Sequence, residues 1–330
     1  MKLSYLDLTT TDPAWNLAVE EYVFHSLPRD RMYVMLWQNR NAIIIGKHQN
    51  THAQINQGFV EEKGIQVVRR LSGGGAVYHD LGNLNFTIIA DAQGDSLDFG
   101  RFCDVVIRAL EKAGINAQRN GRNDMTVDGR KFSGNAQYLK DGRVMHHGTL
   151  LFDSDMSVLS QALQVDEEKI KAKGVDSVRS RVTNLRPLLS RDMTLETFRK
   201  LLLSTILEQF PGEEYILTQD DVTAIEKIKA ERYATWQWNY GRSLACTLLK
   251  KRRIEGCGTV EAYLTLSQSA IQKLQLQGDF FSLRSPEELA EQLIGCPLQR
   301  DALQNALAGV DTRRFIMGLQ NEDFIALLTQ

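Results

Sequence analysis

Cysteine is scarce and scattered in this chain of 330 residues: Cys103, Cys246, Cys257 and Cys296 form no Cys-x-x-Cys pair and stand at no Cys/His zinc spacing. A disulfide scaffold and a zinc centre are therefore not expected, and the thiols read as reduced groups in a cytoplasmic protein, packed as small apolar side chains. Long apolar runs are missing too. No uninterrupted stretch could span a bilayer, and the N-terminal run from Leu3 to Leu8 contains Asp7, so a soluble, untargeted chain with no membrane partner is expected. Charge of one sign is not in excess either. Lys and Arg number 39 against 41 Asp and Glu, a formal net charge of −2, which argues against a nucleic-acid binder. Internal repeats and low-complexity tracts are absent, as is the Gly-x-x-x-x-Gly-Lys-Ser/Thr phosphate loop, and Gly-x-Gly-x-x-Gly is not matched at Gly73 to Tyr78.

What the chain does have is a dense polar stretch from Arg69 to Thr87. Ile65, Val67 and Val68 lead in as a β-rich run, Gly73, Gly74 and Gly75 break it, and Val77, Leu84, Phe86 and Ile88 resume it with strand alternation. Glycine lacks a Cβ, so such a loop can turn successive backbone N–H groups toward one anion. Three glycines alone read equally as a tight turn. Arg69 and Arg70 before them and Tyr78, His79, Asp80 and Asn83 after them favour a phosphate or carboxylate cradle.

Around this stretch, the pattern predicts a strand at Leu3 to Leu8 and a helix started by Asp12-Pro13, with Trp15, Ala18, Val19, Tyr22 and Val23 as its apolar face. Glu20 and Glu21 fall on the other face and read as solvated carboxylates. Met32 to Trp37 and Ala42 to Ile45 read as a hairpin around Gln38-Asn39-Arg40-Asn41. Helices are expected near His52 to Lys63 and from Leu97 to Ala113. Turns at Asp128-Gly129 and Asp141-Gly142 then predict three adjacent antiparallel strands. In the middle strand, alternation puts Lys131, Ser133 and Asn135 on one face and Phe132, Gly134 and Ala136 on the other. His146 and His147, adjacent on a strand, face opposite sides and cannot chelate one metal together.

Two short helices are expected between Met156 and Lys173, then an irregular basic segment from Gly174 to Leu189 carrying Arg179, Arg181 and Arg186. Helices follow at Thr194 to Phe210 and Asp220 to Tyr233. The length suits one large and one small domain, divided near Gly241 into residues 1–241 and 242–330. In the second, Ser243 to Lys250 and Thr259 to Ser267 suggest strands, Lys250-Lys251-Arg252-Arg253 a solvated turn, and Pro286 to Ile294, Arg300 to Leu307 and Arg313 to Met317 short helices.

Four ordered blocks carry a family resemblance: Arg69-Arg70-Leu71-Ser72-Gly73-Gly74-Gly75-Ala76-Val77-Tyr78-His79-Asp80-Leu81-Gly82-Asn83; Gly121-Arg122-Asn123-Asp124 with Gly129-Arg130-Lys131-Phe132-Ser133-Gly134-Asn135-Ala136; His146-His147-Gly148-Thr149-Leu150-Leu151; and Val178-Arg179-Ser180-Arg181-Val182-Thr183-Asn184-Leu185. They closely resemble the lipoate-protein ligases, in which the helix matching Asn16-Leu17-Ala18-x-Glu20-Glu21 packs beside the site, so that a structural role is expected for Glu20 and Glu21. The likeness runs to about Leu185, and beyond it rests mainly on Trp236-Gln237-Trp238-Asn239-Tyr240-Gly241. It implies an α+β fold: mixed and antiparallel sheets flanked by helices in a biotin/lipoate ligase-like large domain, with a small α+β C-terminal domain.

The resemblance also implies an activity. Lipoate would be activated with ATP to an acyl-adenylate, releasing pyrophosphate, and transferred to a lysine of an apo lipoyl domain or a glycine-cleavage H protein; octanoate is a second candidate acid. Lys131 is the implied catalytic residue, bridging the acyl carboxylate and the α-phosphate. Arg70, Gly73, Gly74, Gly75, Ala76, Val77, Tyr78, Asp124 and Lys131 would bind ATP. Trp37, Leu71, Ser72, Gly74, His79, Lys131, Gly134 and His147 would bind lipoate, and Gly46-Lys47-His48-Gln49-Asn50 resembles a segment lining the acyl pocket. Asp124 would hold magnesium brought with ATP, since hard cations prefer carboxylate oxygen, though an Asp entering a hairpin reads equally as a local turn acceptor. No permanently bound cofactor is implied, and a monomer is expected. Phe132 and Asn135 depart from the smaller or aliphatic residues expected at their positions. Two other readings stand beside this one: an octanoyl or lipoyl transferase using a cysteine nucleophile without ATP, and a non-catalytic binder of lipoate or its adenylate, although no DNA-binding helix-turn-helix precedes the ligase-like region.

Overall fold

The computed structural model describes residues 2–92, 97, 99–121, 123–163, 182–241, 246, 248–267 and 269–329. In chain order its strands are β1 (Lys2–Asp7), β2 (Arg31–Trp37), β3 (Ala42–Ile45), β4 (Gln66–Arg69), β5 (Val77–His79), β6 (Asn83–Asp91), β7 (Gln118–Asn120), β8 (Asp124–Val127), β9 (Arg130–Lys140), β10 (Arg143–Leu151), β11 (Gly212–Glu214), β12 (Leu248–Ile254), β13 (Gly258–Ser267) and β14 (Ala270–Gly278). Eight of them form one mixed sheet in the order β11-β1-β2-β6-β10-β9-β8-β7. β11, β1 and β2 run parallel, and the pairs from β2 to β7 are antiparallel.

Alternation explains why both faces of this sheet are covered. Met32, Val34 and Leu36 on β2, with Leu84, Phe86, Ile88 and Ala90 on β6, join one core with Phe102, Val105, Val106 and Leu110 of the helix Gly100–Lys112 and with Phe198, Leu202 and Ile206 of the helix Leu195–Gln209. The intervening Tyr33, Met35, Trp37 and Ile89 face a second core with Leu17, Ala18, Val19 and Val23 of the helix Pro13–Ser26. Asp12 caps that helix by accepting from the N–H groups of Ala14 and Trp15, with Pro13 in its first turn.

Two expectations change here. β2 and β3 do not form a hairpin: β3 leaves the large sheet and is the middle strand of a separate sheet, β4-β3-β5, parallel to β4 and antiparallel to β5. The apolar runs were legible, but the polar turn between them does not specify which partner each strand takes. Glu20 and Glu21 are not solvated either, at 1% and 9% exposure. The helix is covered on both sides, and these carboxyls find polar partners: His147 and Thr87 for Glu20, Arg232 for Glu21.

The expected antiparallel trio is present as β8, β9 and β10. The basic segment before Pro187 is described only from Val182, so Arg179 and Arg181 lie outside the described residues, as does Arg122. Arg186 is exposed and pairs with Asp153 and Asp192, which raise its pKa. Of the helices expected between Met156 and Lys173, Met156–Ala162 is described.

The C-terminal residues build the antiparallel sheet β12-β13-β14 over their own core, in which Leu264, Leu276 and Phe280 meet Leu289, Leu303, Ile316 and Phe324. Lys250 to Arg253 lie within β12, not in a turn; the reversal comes after Ile254. β14 and the helix Asn321–Thr329 were not foreseen. Among the described residues, no helix is long and apolar enough to cross a membrane.

Candidate active site

One cavity opens between the β6-β10-β9 part of the large sheet, the helix Pro13–Ser26 and the glycine stretch, enclosing about 610 Å³ of space that is partly open to solvent. Its lining includes Trp37, Arg70, Gly74, Gly75, Ala76, Val77, His79, Lys131, Gly134 and His147. The fold thus brings residues more than a hundred positions apart to one place. Leu71, Ser72, Gly73, Tyr78 and Asp124 do not line it, nor does the segment from Gly46 to Asn50. Leu71 packs in the core beneath the helix Pro13–Ser26, and Tyr78 packs against Ile43 and Ile45 while its hydroxyl donates to Asn41 Oδ1 at 3.2 Å.

Strand periodicity misplaced Lys131 relative to its neighbours. The β8–β9 register slips between Met125 and Thr126, so that Thr126 faces Lys131 while Met125 faces Ser133. The extra residue is Phe132, and such a bulge resets the alternation. Lys131 therefore shares a face with Gly134 and Ala136: a Cβ on Gly134 would come within 3.0 Å of Lys131 Nζ. Phe132 goes to the buried core, whereas Asn135 is among the residues lining the cavity and its side chain bonds to Asn123 and His146. Of the two departures from the family pattern, Phe132 lies away from the cavity.

At the mouth, Lys131 Nζ stands 2.7 Å from Asp124 Oδ1, and both side chains keep about a third of their surface exposed, 38% and 36%. Behind the glycine stretch, Arg70 is buried. Its guanidinium donates to Ser72 Oγ, to Ile44 O and, at 2.6 and 2.9 Å, to the carbonyls of Gly73 and Gly75. It shapes the loop from behind, and burial pushes its pKa down to about 10. Arg69, fully buried, ties Gly46, Gln49 and Thr51 to the carbonyls of Trp238 and Asn239.

The small domain presses on the same loop. Gly74, at φ +90°, donates its N–H to Phe280 O at 3.1 Å, and a Cβ on Gly73 would lie 2.3 Å from that oxygen. Only glycine allows this approach. His48 stacks on Phe280 and bonds to Ser282 Oγ at 2.8 Å. Gly75, Ala76 and Val77 line the cavity beyond this contact, Val77 as the first residue of β5 paired with Ile44.

The inner wall is a chain of buried polar groups. Trp37 Nε1 donates to Thr87 Oγ1, which donates to Glu20 Oε1; His147 Nδ1 lies 2.9 Å from the same Glu20 oxygen, and His147 Nε2 lies 2.6 Å from Ser72 Oγ. With Nδ1–H donating to the carboxyl, Nε2 accepts from the serine hydroxyl. The sequence shows Ser72, His147, Asn123 and Thr149 as motif members, the last two without an assigned role, while Glu20, Asn85 and Thr87 were missed as site residues. The polar–apolar alternation from Asn83 to Ile88 was a usable signal for Asn85 and Thr87. His146 faces the opposite core among Phe86, Phe99 and Phe102, and burial pushes its pKa down to about 3. No group of three or more His, Cys, Asp or Glu that could hold a metal exists among the described residues.

This architecture is that of known acyl-lysine ligases. The family model described as the lipoyl protein ligase A/B catalytic domain matches residues 12–207, and that described as the bacterial lipoate protein ligase C-terminus matches residues 243–328. A lipoate-protein ligase of Bacillus subtilis is 44% identical over 321 residues, covering 96% of this chain and 97% of that protein. A lipoate-protein ligase A solved with bound ATP superposes with a TM-score of 0.63 at 25% identity, over 73% of this chain and 99% of that one. A Plasmodium falciparum protein solved with lipoate shares the fold across 99% of this chain and 98% of its own, with a TM-score of 0.79 at 20% identity. The chain belongs to the lipoate-protein ligase family.

Proposed function

We infer that this protein is an ATP-dependent lipoate-protein ligase, which converts lipoate to lipoyl-AMP with release of pyrophosphate and then passes the lipoyl group to a protein lysine. The observation that carries this reading is the polarity of the cavity along its length: a partly exposed lysine beside the glycine stretch at the mouth, a wall of buried, mutually bonded side chains at the inner end.

Condensing a carboxylate with an amine in water is unfavourable, so the acid must first gain a leaving group. Two anions then have to sit together. The glycine stretch at Gly75 and Ala76 receives the phosphates, on a loop that Arg70 holds from within. Lys131 stands between the α-phosphate and the carboxylate and offsets the charge that builds at phosphorus during in-line attack. Asp124 keeps the ammonium oriented before substrates arrive. With ATP, magnesium arrives as a co-substrate ion; one carboxylate plus phosphate oxygens is a donor set that suits it, and Asp124 would supply the carboxylate.

The cysteine-transferase reading loses support because none of the cysteines lines the cavity: Cys103 and Cys257 lie in separate cores. We place the domain division at Gly241, and we take the acceptor to be an apo lipoyl domain or a glycine-cleavage H protein, met by a cytoplasmic monomer. The test is pyrophosphate release from ATP and magnesium with lipoate, octanoate or biotin and no acceptor protein. Lipoate-dependent release is expected; none with any of the three acids, from folded protein, would overturn the reading.

A further inference from the structure

At the inner end of the cavity, two buried polar atoms have no partner among the described residues: His79 Nε2 and Asn85 Nδ2. Both residues line the cavity, and they are 3% and 1% exposed. A buried donor without an acceptor is uncommon in a folded protein and calls for an explanation.

The tautomer of His79 is fixed by a relay that starts at the backbone. Asn16 Nδ2 faces the carbonyls of Thr10 and Gln38 at 3.2 and 2.9 Å and Asn39 Oδ1 at 3.0 Å, sharing its two hydrogens among three acceptors, so its amide orientation is set. Asn39 must then turn its Nδ2 toward His79 Nδ1, 3.1 Å away. Nδ1 accepts, and the ring proton sits on Nε2. Burial, with Arg70 and His147 nearby, pushes the His79 pKa down to about 3, so the ring stays neutral and keeps this arrangement at ordinary pH. His79 is a donor, edge-on to Trp37 at 6.1 Å between ring centroids.

The depth of Asn85 follows from the sheet register, and His79 lies at the same depth through its contact with Trp37, which is opposite Asn85. Gly134 N–H on β9 bonds to Thr149 Oγ1 on β10, Thr149 is opposite Asn85 on β6, and Asn85 is opposite Trp37 on β2. Lys131 sits over Gly134, so Asn85 lies two strand spacings away, about 10 Å across the sheet. That is the span of an extended octanoyl chain. A carboxylate held at Lys131 therefore puts the far end of its acyl chain, not its head, against His79 and Asn85.

We propose that His79 and Asn85 form a donor pair selecting acyl chains that end in acceptor atoms, such as the two sulfurs of a dithiolane ring, over plain alkyl chains of the same length. This rests on the acid-activating function proposed above. A methyl terminus leaves both donors unpaired and dry, whereas ring sulfur accepts from them, weakly but without leaving them bare. The Asn16–Asn39 relay holds His79 in position, and its own side chains stand outside the cavity lining.

The test measures kcat/KM for pyrophosphate release with lipoate and with octanoate in wild type, His79→Phe and Asn85→Ala. The wild type should favour lipoate, and His79→Phe, which keeps a ring but loses the donor, should lower the lipoate-to-octanoate ratio on the order of tenfold, mainly through KM. An unchanged ratio in a folded, active variant would overturn the proposal while leaving the ligase function intact; loss of release with every acid in the wild type would strike that function itself. Nitrogen-15 spectra of wild-type imidazoles avoid any folding defect. They should show His79 neutral with its proton on Nε2, and that proton should shift with lipoate and not with octanoate. A proton on Nδ1, or equal shifts with both acids, would contradict the proposal.

Discussion

At the inner wall, Glu20, His147, Ser72 and Arg70 are between 1% and 7% exposed and bonded into one chain; at the mouth, Lys131 and Asp124 keep about a third of their surface in water and hold chiefly each other. The difference assigns the two ends different work. A fully bonded buried network fixes shape, since moving any member strands a partner in a dry site. A half-exposed ion pair contributes little stability but can reorganise when a doubly charged reactant arrives. Substitutions in the wall should therefore register in unfolding experiments, and substitutions at the mouth in rates.

The largest break in stability is expected from Glu20→Ala, which leaves His147 and Thr87 without their shared acceptor. We expect a loss of about 3 kcal/mol or more in urea unfolding, the range for stranding a buried partner. Next comes Lys131→Ala, with adenylation falling on the order of 10²-fold, about 2.7 kcal/mol of barrier. Its unfolding free energy should stay within about 0.5 kcal/mol of the wild type, as for surface substitutions. A large stability loss there, or none for Glu20→Ala, would erase the contrast.

A pH experiment sharpens it. His79 and His146 have pKa values of about 3 in the fold against the ordinary histidine value of 6.5, so the unfolded chain binds more protons between those limits. Their contribution is complete above pH 6.5 and is lost as pH falls toward 3, with a slope of up to about 1.4 kcal/mol per pH unit for each. His146→Phe, which fits its aromatic surroundings, should remove about half of that slope in urea titrations; an unchanged slope would contradict its buried, neutral state. The smallest effect is expected from Ser282→Ala, which deletes one bond between the small domain and His48 and should lower stability by about 1 kcal/mol or less.

Much of this contrast was legible in the sequence at the mouth and little of it at the wall. The glycine stretch, Lys131 and the β8–β10 strands announce themselves locally, through turn residues and short motifs. The wall is assembled from the helix Pro13–Ser26, β6 and β10, and no local pattern says that Glu20 will meet His147 across 127 positions. Helical spacing alone put Glu20 in solvent, but that face of the helix also packs, which only tertiary structure reveals. The phase of β9 was lost for a different reason: strict alternation cannot anticipate the bulge at Phe132. In the C-terminal residues, the basic run of β12 looked like a turn because charge on a sheet edge and charge in a turn read alike.

The most direct test is the single-turnover rate of lipoyl-adenylate formation by Lys131→Ala, taken on the same preparation as its urea unfolding curve. A rate reduced on the order of 10²-fold with an unchanged unfolding midpoint would place the chemistry at the mouth, as argued. A near-normal rate from protein of normal stability would contradict the account at its centre.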